Sequence, residues 1–238
     1  MTKIRSIFRK FAASIVLVAA WAFLLPLAAC AKEPSENGTI TMTTRASEVR
    51  IAIKLAKGSD NLTIVWGDGK ESNVNDAIHE ILPGWFVYTH DYSGTTEHNI
   101  VITCNATGLD CRGGNQLTAL DVSRCTSLTE LNFGENQLTA LDVSKNTALE
   151  RLSCNFNQIT HLDVSKNTTL WLLEVVGNQF TAAALNDLFR TLPDRSKLGP
   201  EYVGGIHIST YSGGGNPGNN DCECSIAEAR GWSFHSIR

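Results

Sequence analysis

The residues of this 238-residue chain best suited to chemistry are Asp68, in Trp66-Gly67-Asp68-Gly69, and His90, in Tyr88-Thr89-His90-Asp91-Tyr92-Ser93. Brought together, they could act as an acid–base pair. The favoured alternative is a turn aspartate and a histidine that fixes a strand corner by hydrogen bonds, because Asp68-Gly69 supplies the positive-φ residue of a tight hairpin. Cys222-x-Cys224 could be half a metal site, but two further ligands at usual spacing are missing, so it reads as structural or unpaired. Asp121, Asp142 and Asp163 recur at a fixed interval and could line a calcium face. The Ser and Thr donors beside them, with Arg124, Lys145 and Lys166, favour a solvated ladder. Tyr211-Ser212-Gly213-Gly214-Gly215 lacks the Gly-Lys-Ser/Thr of a phosphate loop and reads as a connection. The other histidines, at 79, 98, 161, 207 and 235, are scattered, and neither HExxH nor GxSxG occurs. No catalytic set, metal site or cofactor is therefore expected, and the chain is not expected to be an enzyme.

The elements that position these residues are set by a repeat. Asn115-Gln116-Leu117-Thr118, Asn136-Gln137-Leu138-Thr139, Asn157-Gln158-Ile159-Thr160 and Asn178-Gln179-Phe180-Thr181 start 21 residues apart. Ahead of the last three runs one apolar frame: Leu128-x-x-Leu131-x-Phe133, Leu149-x-x-Leu152-x-Cys154 and Leu170-x-x-Leu173-x-Val175. This is the leucine-rich-repeat frame, and strict periodicity makes it specific. It predicts a solenoid in which each Leu-x-Leu is a short strand of a parallel sheet, with turns about 4.8 Å apart. The four asparagines are expected to satisfy backbone groups of neighbouring turns. Leu120-Asp121-Val122-Ser123 and its copies at 141–144 and 162–165 read as an extended returning limb. Cys111 and Cys154 fill core slots two turns apart, roughly 9–10 Å, which is beyond disulfide reach.

Residues 39–103 alternate apolar and polar in short runs punctuated by Gly and Asp, which predicts a small antiparallel β-sandwich. A helical turn is expected near Asp76-Ala77-Ile78-His79. Trp66-Gly67-Asp68-Gly69 with the later His90-Asp91-Tyr92 resembles the PKD-type sandwich, which implies an extracellular spacer or interaction module. After Phe180, Ala184–Leu192 has helical apolar spacing stopped by Pro193, Gly205–Ser209 reads as a strand, and Ser225–Arg230 as a short helix. Residues 104–192 are read as repeats and 193–238 as their cap. The expected fold is mainly β with short helices.

Residues 1–29 carry Lys3, Arg5, Arg9 and Lys10 ahead of an apolar run from Phe11 to Ala29, the pattern of a secretory signal. Leu27-Ala28-Ala29-Cys30 resembles the bacterial lipobox, which implies cleavage before Cys30 and its lipidation; an uncleaved membrane helix is the alternative. Residues 30–38 read as a linker. Removing residues 1–29 moves the formal charge from −4 to −8, so a nucleic-acid partner is not expected.

The 21-residue form with Asp-Val-Ser-Lys-Asn-Thr resembles leucine-rich-repeat surface lipoproteins of Bacteroides-type bacteria, which also carry PKD-like sandwiches. The resemblance implies a lipid-anchored outer-membrane protein that binds a protein or glycan ligand at the cell surface, while Ala31-Lys32-Glu33 as a sorting cue leaves periplasmic and external placement both open. The concave sheet face supplies the candidate site: Glu130, Arg151 and Leu172 in one column, Asn132, Ser153 and Glu174 in a second, Asn155 and Val176 in a third, bordered by Phe156 and Trp171. The alternative is a non-catalytic scaffold contacting other envelope proteins.

Overall fold

The computed structural model describes residues 37–210 and 215–237. The leader, Cys30 and most of the Tyr211–Gly215 run lie outside these residues. No helix among the described residues is long and apolar enough to cross a membrane.

The N-terminal third is two facing sheets. β1 (Gly38–Thr44), β3 (Leu62–Val65), β4 (Glu71–Asn73) and β7 (His98–Cys104) belong to one. β2 (Glu48–Leu55), β5 (His79–Leu82), β6 (Trp85–Asp91) and β8 (Ala106–Asp110) belong to the other. Alternation places Ile40 and Met42 of β1, Ile100 and Ile102 of β7, and Ile51 and Ile53 of β2 in one buried core. Burying each such aliphatic side chain contributes roughly 1.5–3 kcal/mol. β3 and β4 form the hairpin expected at Asp68-Gly69, closed by Trp66 N–H on Lys70 O at 3.0 Å. The expected helical turn falls slightly earlier, at Val74–Asp76, because Asn73 and Asp76 form a reciprocal capping box there. His79 instead opens strand β5.

The sheets do not stop at residue 103. β9 (Leu117–Asp121) joins the first sheet antiparallel to β1. β8 pairs antiparallel with β2 on one side and parallel with β10 (Glu130–Asn132) on the other. From β10 the ladder continues in parallel through β11 (Arg151–Ser153), β12 (Leu172–Glu174), β13 (Gly204–Thr210) and β14 (Trp232–Ile237). The result is a leucine-rich-repeat-like stack of turns whose first strand is shared with the sandwich. Each three-residue strand buries its central leucine, Leu131, Leu152 or Leu173, between two outward residues. Leu128, Leu149 and Leu170 fill the same core one step earlier.

The returning limb is a strand only in its first copy, β9, which has β1 to pair with. All three copies make an Asx turn, Asp121, Asp142 and Asp163 accepting the Ser123, Ser144 and Ser165 N–H at 2.8, 2.8 and 2.7 Å, so pairing with β1 is what sets the first copy apart. At the C-terminal end, α1 (Ala182–Thr191) is capped by Thr181 Oγ1 on Ala184 N–H and buries Leu185, Leu188 and Phe189. Phe189 meets Phe234 of β14 edge-on at 5.5 Å. Leu172 pairs with Gly205 and Gly205 with Ser233, so the last two turns take 33 and 28 residues.

Candidate functional site: the outward face of the parallel strands

An amide ladder fixes the turns that carry this face. Leu117, Leu138 and Ile159 N–H donate to Oδ1 of Asn136, Asn157 and Asn178, each at 3.0 Å. The same asparagines donate from Nδ2 to Phe133 O, to Cys154 O and to other carbonyls of their own and the preceding turn. All are buried, so each satisfies groups that water cannot reach. At the N-terminal end Asn115 pairs with both the N–H and the C=O of Arg50 at 2.8 Å, which lengthens the β2–β8 pairing by one rung. At the other end Asn216 accepts from Asn178 N–H at 3.1 Å and Phe180 N–H at 3.4 Å, a fifth rung outside the 21-residue period. Asn146 and Asn167 form a second ladder through the returning limbs.

The strand register aligns the outward residues as expected in two columns. One runs Gly108, Glu130, Arg151, Leu172, Gly205; the next runs Asp110, Asn132, Ser153, Glu174, His207. The third column does not form. Val176 is fully buried, since the strand ends at Glu174 and the chain turns inward, taking Val175 and Val176 together into the interior. Asn155 folds over that bend, accepting Val176 N–H at 2.8 Å and donating to Glu174 Oε2 at 3.3 Å. Phe156 is 45% exposed at the border, and Trp171 is half-buried.

Two residues of the sandwich complete the first column. Trp85 lies across Gly108, where a Cβ would come within 2.7 Å of its ring. Lys54 Nζ stands 5.8 Å from the Trp85 ring centroid and 2.7 Å from Glu130 Oε1. Arg151 approaches Glu130 Oε2 at 3.7 Å and stacks on Trp171 at 4.7 Å. A row reading indole, cation, carboxylate, cation, indole thus runs from β6 and β2 of the sandwich across β10 and β11 to the residue ahead of β12. Sequence reasoning missed Trp85, Lys54 and Asp110, although a glycine in a strand is a signal of close approach. Between this row and the second column runs a groove of about 190 Å³. Glu174 Oε1 lies 3.5 Å from His207 Nδ1, but that nitrogen has no hydrogen bond. Burial draws the His207 pKa below its ordinary value, outweighing the upward pull of Glu174.

The other candidates are held in local hydrogen-bonded and stacked arrangements. His90 stacks on Trp66 at 4.6 Å, meets Tyr92 edge-on and is hydrogen-bonded to Asp68 Oδ2 at 3.0 Å. That hydrogen bond, above all, lowers the Asp68 pKa to about 2. Tyr92 in turn donates to Trp66 O at 2.7 Å, so the group ties a strand corner together. Asp121, Asp142 and Asp163 each spend Oδ1 on a serine amide, which draws their pKa values down. Cys222 and Cys224 are unpaired with their sulfurs 3.9 Å apart, and Cys104, Cys111, Cys125 and Cys154 are buried and free. Among the described residues no three His, Cys, Asp or Glu side chains converge as metal ligands.

No protein-family model matches this chain, and no curated protein does. Among solved structures, it is similar to the functional domain of InlJ from Listeria monocytogenes, which includes a cysteine ladder. That likeness has 24% identity and a TM-score of 0.35, covering 56% of this chain and 30% of the Listeria chain. This chain therefore corresponds to less than a third of that neighbour's length.

Proposed function

We propose that this chain is a non-catalytic recognition module of the bacterial cell envelope, anchored by lipid at Cys30. It holds a protein or glycan ligand on the outward face of its parallel strands. The carrying observation is the row from Trp85 through Lys54, Glu130 and Arg151 to Trp171, beside a groove of hydrogen-bonding side chains. Aromatic and arginine side chains clustered beside polar groups are the residue types that dominate recognition surfaces. On this reading the two-sheet part, PKD-like in its Trp66–Asp68–His90 corner, is a spacer that also builds one wall of the site. The leader and Cys30 support a lipid-anchored place in the cell envelope, and the acidic mature charge disfavours a nucleic-acid partner.

The test is display of the chain on bacteria and measurement of binding to matrix proteins, mucins and glycans. A variant carrying Arg151→Glu, Leu172→Ala and Glu174→Lys should lose binding while keeping its circular dichroism. Radiolabelled fatty acid should label the chain and not Cys30→Ser. Equal binding by both chains would sink the reading.

A second reading, a scaffold contacting another envelope protein, is favoured by the sheet edge at β5. There Ile78, Ile81 and Leu82 are 54%, 46% and 62% exposed. It predicts a bacterial partner whose binding is lost on changing those three residues and unaffected by the face variant.

A further inference from the structure

We propose that the groove on the parallel strands binds a neutral oligosaccharide, an inference that rests on the recognition reading above and gives its ligand a chemical class. A sugar hydroxyl donates and accepts at once, so its site needs donors and acceptors interleaved at short spacing. The groove supplies them. Asn132 turns its Oδ1 to Gly134 N–H at 3.1 Å, which directs its amide N–H groups elsewhere. Ser153 Oγ accepts only a long 3.4 Å contact from Asn155, so its O–H can donate into the groove. Arg151 adds guanidinium donors, and its nearest carboxylate is 3.7 Å away. Between these donors stand the carboxylates of Asp110, Glu130 and Glu174, on β8, β10 and β12 of a ladder whose adjacent strands lie about 4.8 Å apart. At one end the half-buried Trp85 ring closes the groove and offers an apolar, electron-rich surface to the C–H groups of a pyranose.

The same observations disfavour a protein ligand in this groove. Protein hot spots depend on aromatic and arginine side chains free to enter a partner's desolvated pockets, whereas here Trp85 is laid across Gly108 and Arg151 is stacked on Trp171. The large exposed apolar side chains among the described residues lie elsewhere: on the β5 edge, at Phe156, and at Leu198, Tyr202 and Val203. The central leucines of the strands are buried beneath the floor.

Charge selects neutral sugars. Of the three lining carboxylates, Glu130 is met by Lys54 and Arg151 and Asp110 by Arg112 Nε at 3.4 Å, which leaves Glu174 as the one with neither a lysine nor an arginine beside it. A sialylated or sulfated sugar would be repelled by Glu174, whose neighbour 3.5 Å away is His207, an imidazole whose pKa burial draws down.

The full chain, solubilised in mild detergent, is applied to a printed array of neutral, sialylated and sulfated oligosaccharides and to a parallel array of matrix proteins. Neutral hits are then titrated by tryptophan fluorescence against Trp85→Ala and Ser153→Lys. The expected result is neutral-sugar binding weakened at least tenfold in both variants, with unchanged circular dichroism. Because Trp85 also packs on Gly108, Ser153→Lys decides if Trp85→Ala disturbs the fold. Binding confined to sialylated or sulfated sugars, or neutral-sugar binding indifferent to Ser153→Lys, overturns the proposal. A protein hit lost in Ser153→Lys with no sugar signal overturns the sugar class and keeps the recognition reading. No ligand on either array overturns both.

Discussion

The ring of Phe156 occupies the space into which a Cβ on Gly177 would project. Both residues hold left-handed backbone, with φ of 55° and 67°, and each stands one position before a ladder asparagine. Glu135 and Gly114 hold the equivalent position in the preceding turns, also left-handed. The turn geometry is imposed by the ladder, and only glycine adopts it without strain.

Gly177→Ala is expected to destabilise the chain by about 1–3 kcal/mol, from positive φ together with the Phe156 ring. In a Phe156→Ala background part of that cost should disappear. Urea unfolding of the two single variants and the double variant measures the coupling; strict additivity would show that the ring contributes nothing.

Glu135→Gly should act in the opposite direction. Removing the Cβ from a residue at φ 59° is expected to stabilise by about 0.5–1 kcal/mol, despite the added freedom of the unfolded chain. A lower urea midpoint would count against left-handed strain at this position.

Asn216→Ala should cost about 2–4 kcal/mol, because its amide serves Asn178 N–H, Phe180 N–H and Val175 O, all buried. Hydrogen exchange should locate the loss. The Asn178 and Phe180 amides should exchange faster, while Leu117 and Leu138, bonded to rungs further back, should change less.

The Asp68 carboxyl gives the chain an acid limb. Its pKa is held at about 2, below the ordinary 3.8, chiefly by the His90 hydrogen bond. A depressed carboxylate stabilises the fold above its unfolded pKa and loses that contribution as pH falls through the folded one. Thermal midpoints should therefore fall between about pH 4 and 2 more steeply in the parent chain than in Asp68→Asn. Parallel acid limbs would assign the corner no such role.

Thiol reactivity should divide the cysteines. Burial pushes the Cys104 thiol up to about 12 and raises Cys111, Cys125 and Cys154 as well. In a Cys30→Ser background at pH 8, only the half-buried Cys222 and Cys224 should react with an aromatic disulfide reagent before unfolding. Cys222 should react slowly, its thiol being pushed up to about 11 by burial and by Cys224. Rapid modification of Cys111 or Cys154 would contradict the packing.

Much of this architecture is legible in the chain because it is local. Leu131, Leu152 and Leu173 mark their strands through the period alone, and Pro193 ends α1 as expected. The Asp68-Gly69 hairpin follows from turn chemistry. What was hidden depends on long-range register. Nothing in Leu117–Asp121 announces that it pairs with β1, and nothing in Asn115 announces its bonds to Arg50. Asn216 and β14 escape the period because the cap lengthens the final turns. Val176 was misplaced because alternation was carried past the end of a three-residue strand. Of the candidate face, the two columns were readable, but the wall supplied by Lys54 of β2 and Trp85 of β6 comes from two sandwich strands that are distant in sequence from the repeats and from each other.

The amide ladder speaks only to its neighbour. Asn157 takes the N–H of Leu138 and returns an N–H to Phe133 O, both on the turn before it, and Asn178 does the same with Ile159 and Cys154. Duplicating or excising one 21-residue segment between them would leave both terminal attachments, Asn115 on Arg50 and Asn216 on Phe180, chemically untouched. Each added copy would extend the face by about 4.8 Å. Unit number then works as a ruler. Reach is set by how many segments the gene encodes, and grip by a few outward side chains in each, so the two can evolve separately.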